Sequence, residues 1–219
     1  MSPPARRARP APEEQAGQAG LRRKLYRVQA AALLDPPDGE LIGFLAENYP
    51  FLFPEGAPRP PGADFLQTLR VDFTHLFILS SPPYEAALLD ESGHLNSKTT
   101  DRVTDFYRAS GYDPGRGSGG ARHSSVAAMD HLSVELEFLA HLAGAEEEAW
   151  RAGEEEGARA RLAEAARFMD EHLLRWAPLY TAAMEEEAET GFYRELARWV
   201  REFALEDRVH IEEMRRKGF

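Results

Sequence analysis

Apolar residues along this chain recur every three or four positions in long runs, and no run alternates apolar with polar. That spacing predicts helices and no sheet. Phe65, Leu69, Phe73 and Leu76 fall on one helical face, and Leu66, Phe77 and Leu79 widen it. Leu132, Leu136, Leu139 and Ala143 line another, with Phe138 and Leu142 beside them. Leu162, Ala166, Met169, Leu173 and Trp176 step by four and three in turn, a heptad-like seam that Phe192, Leu196, Trp199 and Phe203 repeat. The fold class expected is therefore all-α.

Breaker residues divide these runs. A helix predicted over Leu21–Leu34 stops at Asp35-Pro36-Pro37-Asp38-Gly39, and a short one follows near Glu40–Asn48. Pro54 to Gly62 is irregular, Ser80-Ser81-Pro82-Pro83 ends the helix of Leu76, and Thr99–Ser110 reads as the next helix. Pro178 suits the first turn of a new helix and Gly191 a break between helices. Residues 111–125, with Gly115-Arg-Gly-Ser-Gly-Gly120, form the main linker candidate, because glycine-rich chain is entropically costly to order. The expected organisation is a disordered tail at 1–19, a helical lobe at 20–110, a flexible Gly-rich hinge at 111–125 and a second helical lobe at 126–219.

Charge narrows the partners. The 219 residues carry a formal net charge of −11, and the excess of acid lies outside residues 1–30, where seven basic residues face two acidic ones. An acidic body repels phosphates, which argues against nucleic acid and favours cationic partners. With no cysteine there is neither disulfide nor thiolate site. Arg6-Arg7 is a twin arginine, but Ala-Arg-Pro-Ala-Pro-Glu-Glu follows it instead of the apolar stretch of an export signal. No segment approaches the roughly 18 apolar residues of a membrane span. The expectation is a cytoplasmic protein without stable membrane insertion.

Candidate chemistry is thin. There is no Gly-x-Ser-x-Gly elbow, and His123, Ser124 and Ser125 lie in the expected hinge, where geometry is not held. The glycine run ends in Ala121-Arg122-His123, not in the Lys-Ser/Thr of a phosphate loop. Asp72-Phe-Thr-His75 and Asp207-Arg-Val-His210 have the carboxylate–x–x–His spacing of di-metal helical bundles, although those bundles use Glu in the pair. The simpler reading of both is surface and capping polar groups. Asp130-His131 stands apart, since it sits where the linker meets a strong helix. There Asp can cap free N–H groups and His can titrate near neutrality.

These residues carry a resemblance. Val126-Ala-Ala-Met-Asp-His-Leu-Ser-Val-Glu-Leu-Glu-Phe-Leu139 resembles the central signature of the TorD/DmsD/NarJ family of redox-enzyme maturation chaperones, Glu-x-Pro-Asp-His running into Leu-x-x-Glu-Leu-x-Phe-Leu. Asp130 and His131 match, whereas Ala127 and Met129 replace the usual Glu and Pro. Asp72-Phe-Thr-His-Leu-Phe77, Pro82-Pro-Tyr-Glu-Ala86, Phe106-Tyr107, Gly111-Tyr112, His172-Leu-Leu-Arg-Trp176 and Phe192-Tyr193 resemble further family segments in order, over about residues 25–208.

The resemblance implies a TorD-like helical bundle and a protein that is not an enzyme and needs no cofactor or metal. It implies a chaperone that binds the twin-arginine signal peptide, or the apo form, of a molybdopterin-dependent oxidoreductase catalytic subunit. Export would be delayed until the molybdenum cofactor is inserted. The signal peptide is expected in a groove near Leu76, Phe77, Pro83, Tyr84, Asp130, His131 and Glu135. Leu76 and Phe77 would receive the apolar stretch, Asp130 would pair with an Arg, His131 would orient the peptide, and Glu135 would add negative charge. The alternatives are a NarJ-like assembly factor for an unexported membrane-bound molybdoenzyme and a di-metal helical-bundle enzyme. A helical adaptor unrelated to redox enzymes is a third. The hinge permits a monomer or a domain-swapped dimer.

Overall fold

The computed structural model describes residues 11–58, 61–90, 95–114 and 126–216. Helices α1 (Pro12–Leu34), α2 (Gly39–Asn48), α3 (Ala63–Thr74), α4 (Glu85–Leu89) and α5 (Lys98–Ala109) precede the 115–125 stretch. Helices α6 (Leu132–Ala152), α7 (Glu155–Phe168), α8 (Leu174–Glu187) and α9 (Gly191–Arg216) follow it. A 3-10 turn (Pro50–Leu52) follows α2, and π-helical segments extend α3 (His75–Ser80) and join α7 to α8 (Met169–Leu173). No strand occurs among the described residues; one isolated antiparallel bridge pairs Tyr84 with His131. The chain is all-α, as its periodicity predicts.

Helix α1 corrects one expectation. It begins at Pro12, so residues 12–19 are helix and not disordered tail, while 1–10 lie outside the described residues. Pro suits the first turn, and Glu13 and Glu14 complement the positive helix start. The anchors are small: Ala16 packs with Ala149, Trp150 and Ala158, and Ala19 is buried. Gly20 lets α1 approach α6 so closely that a Cβ there would meet the Glu147 carboxylate oxygen at 2.8 Å.

The division into two lobes is not matched by two cores. One contiguous apolar cluster includes Tyr26, Leu45 and Leu69 from before the expected hinge and Leu139, Trp176 and Leu196 from after it. Helix α1 lies along α6, and α8 packs on α9. Most of the expected hinge, residues 115–125, is outside the described residues. Pro178 falls inside α8 and not in its first turn, one turn after the Met169–Leu173 π segment; both are features that bend helices.

A buried ion cluster fastens the two ends of the chain. Arg22 on α1 donates through Nε to Asp207 Oδ1 and through Nη1 to Glu146 Oε2, both at 2.5 Å. Tyr26 Oη donates to Asp207 Oδ2 at 2.6 Å, and Trp150 Nε1 to Glu146 Oε1 at 3.3 Å. Burial by itself disfavours the guanidinium charge, but the two carboxylates more than reverse that.

Candidate functional site

The chain segment entering α4 and the segment entering α6 meet in a short seam. Glu85 N donates to Asp130 O at 3.0 Å and Leu132 N to Pro83 O at 2.9 Å, on either side of the Tyr84–His131 bridge. The Asp130 side chain closes the seam. Its Oδ2 accepts from Ala86 N at 2.8 Å and its Oδ1 from Thr100 Oγ1 at 3.1 Å. Asp130 therefore caps α4 and holds α5; the N-cap of α6 is His131, whose Nδ1 accepts from Ser133 N at 3.1 Å. In the neutral ring, that bond leaves the proton on Nε2. The Tyr84 ring meets the His131 ring edge-on at 5.0 Å, and its Oη accepts from Ala127 N at 3.0 Å.

Behind the seam lie two more buried carboxylates. Glu85 pairs with His172 Nδ1 at 3.0 Å across α4 and the π segment before α8. Glu135 accepts from Trp176 Nε1 at 3.2 and 3.3 Å. Burial, then the charge of Glu85, pushes the Glu135 carboxyl well above the ordinary carboxylate range; the Trp176 N–H opposes this and Asp130 adds to it. Glu135 is thus a buried group whose surroundings favour its neutral form, whereas the expectation is a residue adding negative charge to a groove.

The structure brings Pro83, Tyr84, Asp130 and His131 together, with Glu135 one turn along α6, but all seven predicted groove residues are buried. Leu76 and Phe77 sit in the core, where the Phe77 ring lies tilted against Phe73 at 4.6 Å and meets Tyr193 edge-on at 5.8 Å. Exposed apolar surface begins at the next two residues, Ile78 at 62 % and Leu79 at 73 % exposure. Leu79, expected on the apolar face, points outward because the π segment starting at His75 departs from the 3.6-residue repeat.

Residues 34–182, a stretch containing the whole seam, match the family model described as the nitrate reductase delta subunit. The chain belongs to that family. Its curated relatives include the proteins named Chaperone protein TorD from Vibrio cholerae serotype O1. The one from strain Classical Ogawa 395 is 28 % identical over 152 residues and that from El Tor Inaba N16961 is 27 % identical over 150. Each match covers 67 % of this chain and 63 % of the relative, so the chain spans less than two thirds of their length.

Within this family's fold, the two aspartates considered for metals, Asp72 and Asp207, are spent on other bonds. Asp72 accepts from the backbone N–H groups of Glu189 and Thr190 at 3.2 and 2.8 Å and from Thr190 Oγ1 at 2.6 Å. Asp207 belongs to the Arg22 cluster. No group of three or more candidate ligands gathers among the described residues, and no described helix is long and apolar enough to cross a membrane. Sequence reasoning missed Glu85, Thr100 and the Glu85–His172 pair. His172 reads only as part of a family segment and Trp176 as part of that segment and of an apolar seam, since their partners lie 87 and 41 positions away.

Proposed function

We propose that this protein is a maturation chaperone that holds the catalytic subunit of a molybdenum-cofactor oxidoreductase in the cytoplasm through its twin-arginine signal peptide, and that it is not itself an enzyme. The observation that carries the reading is the family match over 34–182, which takes in every member of the seam. The name of the curated relatives supports the chaperone role.

In this reading Pro83, Tyr84, Asp130, His131 and Glu135 form the scaffold of the site, Leu76 and Phe77 anchor the π segment in the core, and Ile78 and Leu79, next along that segment, offer the surface that an apolar stretch covers. Such contact supplies affinity, and the acidic body steers a cationic peptide towards it. A second reading, consistent with the words nitrate reductase in the family description, is assembly of an unexported membrane-bound oxidoreductase, in which the bound segment lacks the twin arginine.

Fluorescence anisotropy tests the proposal once the neighbouring coding regions supply a molybdoenzyme catalytic subunit, whose signal peptide is the probe. Saturable binding is expected, weakened about tenfold or more by the surface pair Ile78→Ser and Leu79→Ser, a typical loss for apolar contact residues. Failure to bind that peptide, or any segment of that enzyme, would remove the chaperone reading.

A further inference from the structure

A second surface, away from the seam, carries four aromatic residues partly open to solvent. Phe44 on α2 and Phe51 in the 3-10 turn are 47 % and 49 % exposed. Tyr49 lies between them, 6.1 Å from the Phe44 ring and 6.3 Å from the Phe51 ring. Trp199 on α9 completes the platform at 5.2 Å from Tyr49 and 5.4 Å from Phe51. Soluble proteins seldom leave a contiguous apolar patch of this kind without a use.

Phe44 also ends a neighbouring groove of about 420 Å³, lined by Leu34, Asp35, Asp38, Glu40 and Leu41. The groove is acidic, and its charge is not internally balanced. Asp38 accepts from Leu41 N at 2.8 Å as a helix cap, while Asp35, Glu40 and the nearby Glu47 form no ion pair with any described residue. Arg70 approaches only to donate to the Pro37 carbonyl at 3.2 Å. By contrast, Arg198 beside Trp199 is already held by Glu185 and Glu195 at 2.7 Å each. Uncompensated carboxylates thus lie at one end of the surface and aromatic faces at the other.

We propose that the α2–α9 face, from the Asp35/Glu40 groove to the Phe51/Trp199 platform, docks a peptide segment of a partner protein that carries Arg or Lys beside aliphatic or aromatic side chains. The groove carboxylates take the cations, and the rings take the apolar side chains, with Arg also able to stack on them. This surface is separate from the Ile78/Leu79 surface. It rests on the chaperone reading only for the source of the peptide.

Trp199 makes the test direct. Of the three tryptophans, Trp150 and Trp176 are buried at 2 % and 0 % exposure, so a change in emission on binding reports on Trp199. The probes are two synthetic peptides of equal length and apolar content, one with an Arg pair next to Leu and Phe, the other with Gln in place of Arg. The basic probe is expected to shift Trp199 emission to the blue and to bind about tenfold tighter than the neutral one at low salt, with the advantage shrinking as salt rises.

Phe44→Ser with Phe51→Ser changes two exposed residues, so the fold should persist by circular dichroism while the emission shift is lost. Asp35→Asn with Glu40→Gln should reduce the preference for the basic probe. Unchanged affinity in both double variants, or binding that leaves Trp199 emission fixed, would overturn the proposal. So would a concentration-dependent dimer abolished by Phe44→Ser and Phe51→Ser, because a second copy of the chain would then cover the face. Ile78→Ser with Leu79→Ser separates the two surfaces: it should weaken the signal peptide and leave the basic probe unaffected. Loss at that pair alone would implicate only the chaperone site.

Discussion

The Asp130 carboxylate holds two donors from two other helices, a hydroxyl and a backbone N–H, with no exposure of its own. Asp130→Ala leaves the buried Ala86 N–H without a partner and is expected to cost ~1–3 kcal/mol in urea unfolding. Asp130→Asn keeps one accepting oxygen and turns an NH2 donor towards the Thr100 hydroxyl, so its loss should be about half as large. Glu135 gives a pH signature. Its folded pKa is raised, so the stability it contributes is complete below the ordinary carboxylate range and is lost as pH rises through the raised value. Glu135→Gln keeps an acceptor for Trp176 Nε1 and does not titrate. Its urea midpoint should match the wild type at about pH 4.5 and exceed it increasingly towards pH 8, because the variant never has to hold a buried charge. A difference that stays flat with pH would show that burial does not shift Glu135. Asp130 and His131 are legible in the sequence because they sit at the mouth of a strong amphipathic run. Their partners are not, since Ala86 and Thr100 lie 44 and 30 positions from Asp130 and no local pattern joins them.

Helix α9 illustrates how one element borrows its start from another. Asp72, on α3, accepts from the N–H groups of Glu189 and Thr190 just ahead of Gly191. Asp72→Ala is expected to lower stability by ~1–2 kcal/mol and to speed amide exchange in the first turn of α9 before the rest of the helix, since an N-cap acts locally. The helices themselves are legible wherever large apolar residues repeat, as at Leu132–Ala143 or Phe192–Phe203. They are illegible where alanine and glycine do the packing, as at Ala16, Ala19 and Gly20. The π segments are hidden as well: nothing in His75–Ser80 announces the extra residue per turn, and so Leu79 reads as core and stands in solvent.

At the scale of the whole molecule, the first described helix is part of the core and not an appendage. Removing residues 1–19 takes the buried side chains of Gln15, Ala16 and Ala19 with it and uncovers Trp150. The melting temperature should fall by roughly 2–8 °C, the response to about 1–2 kcal/mol in a domain of this size. Arg22→Met, which leaves Asp207 and Glu146 buried opposite a neutral side chain, should cost more, ~3–5 kcal/mol, by the same measurement. The expected two lobes follow from reading the glycine-rich stretch as a boundary. The packing of α1 along α6 crosses that boundary, and sequence spacing cannot reveal a contact between segments so far apart. The Arg22–Asp207 bond also sets a timetable. The two residues are 185 positions apart, so at the usual ~5–20 residues per second of synthesis Arg22 waits roughly 10–40 s on the ribosome for its second carboxylate. Glu146 arrives earlier, and α1 can settle on α6 while α9 is still being made. The growing chain thus passes through a stage in which the apolar surface reserved for its last helix is still open, and transiently exposed surface of that kind is where nascent chains are prone to aggregate.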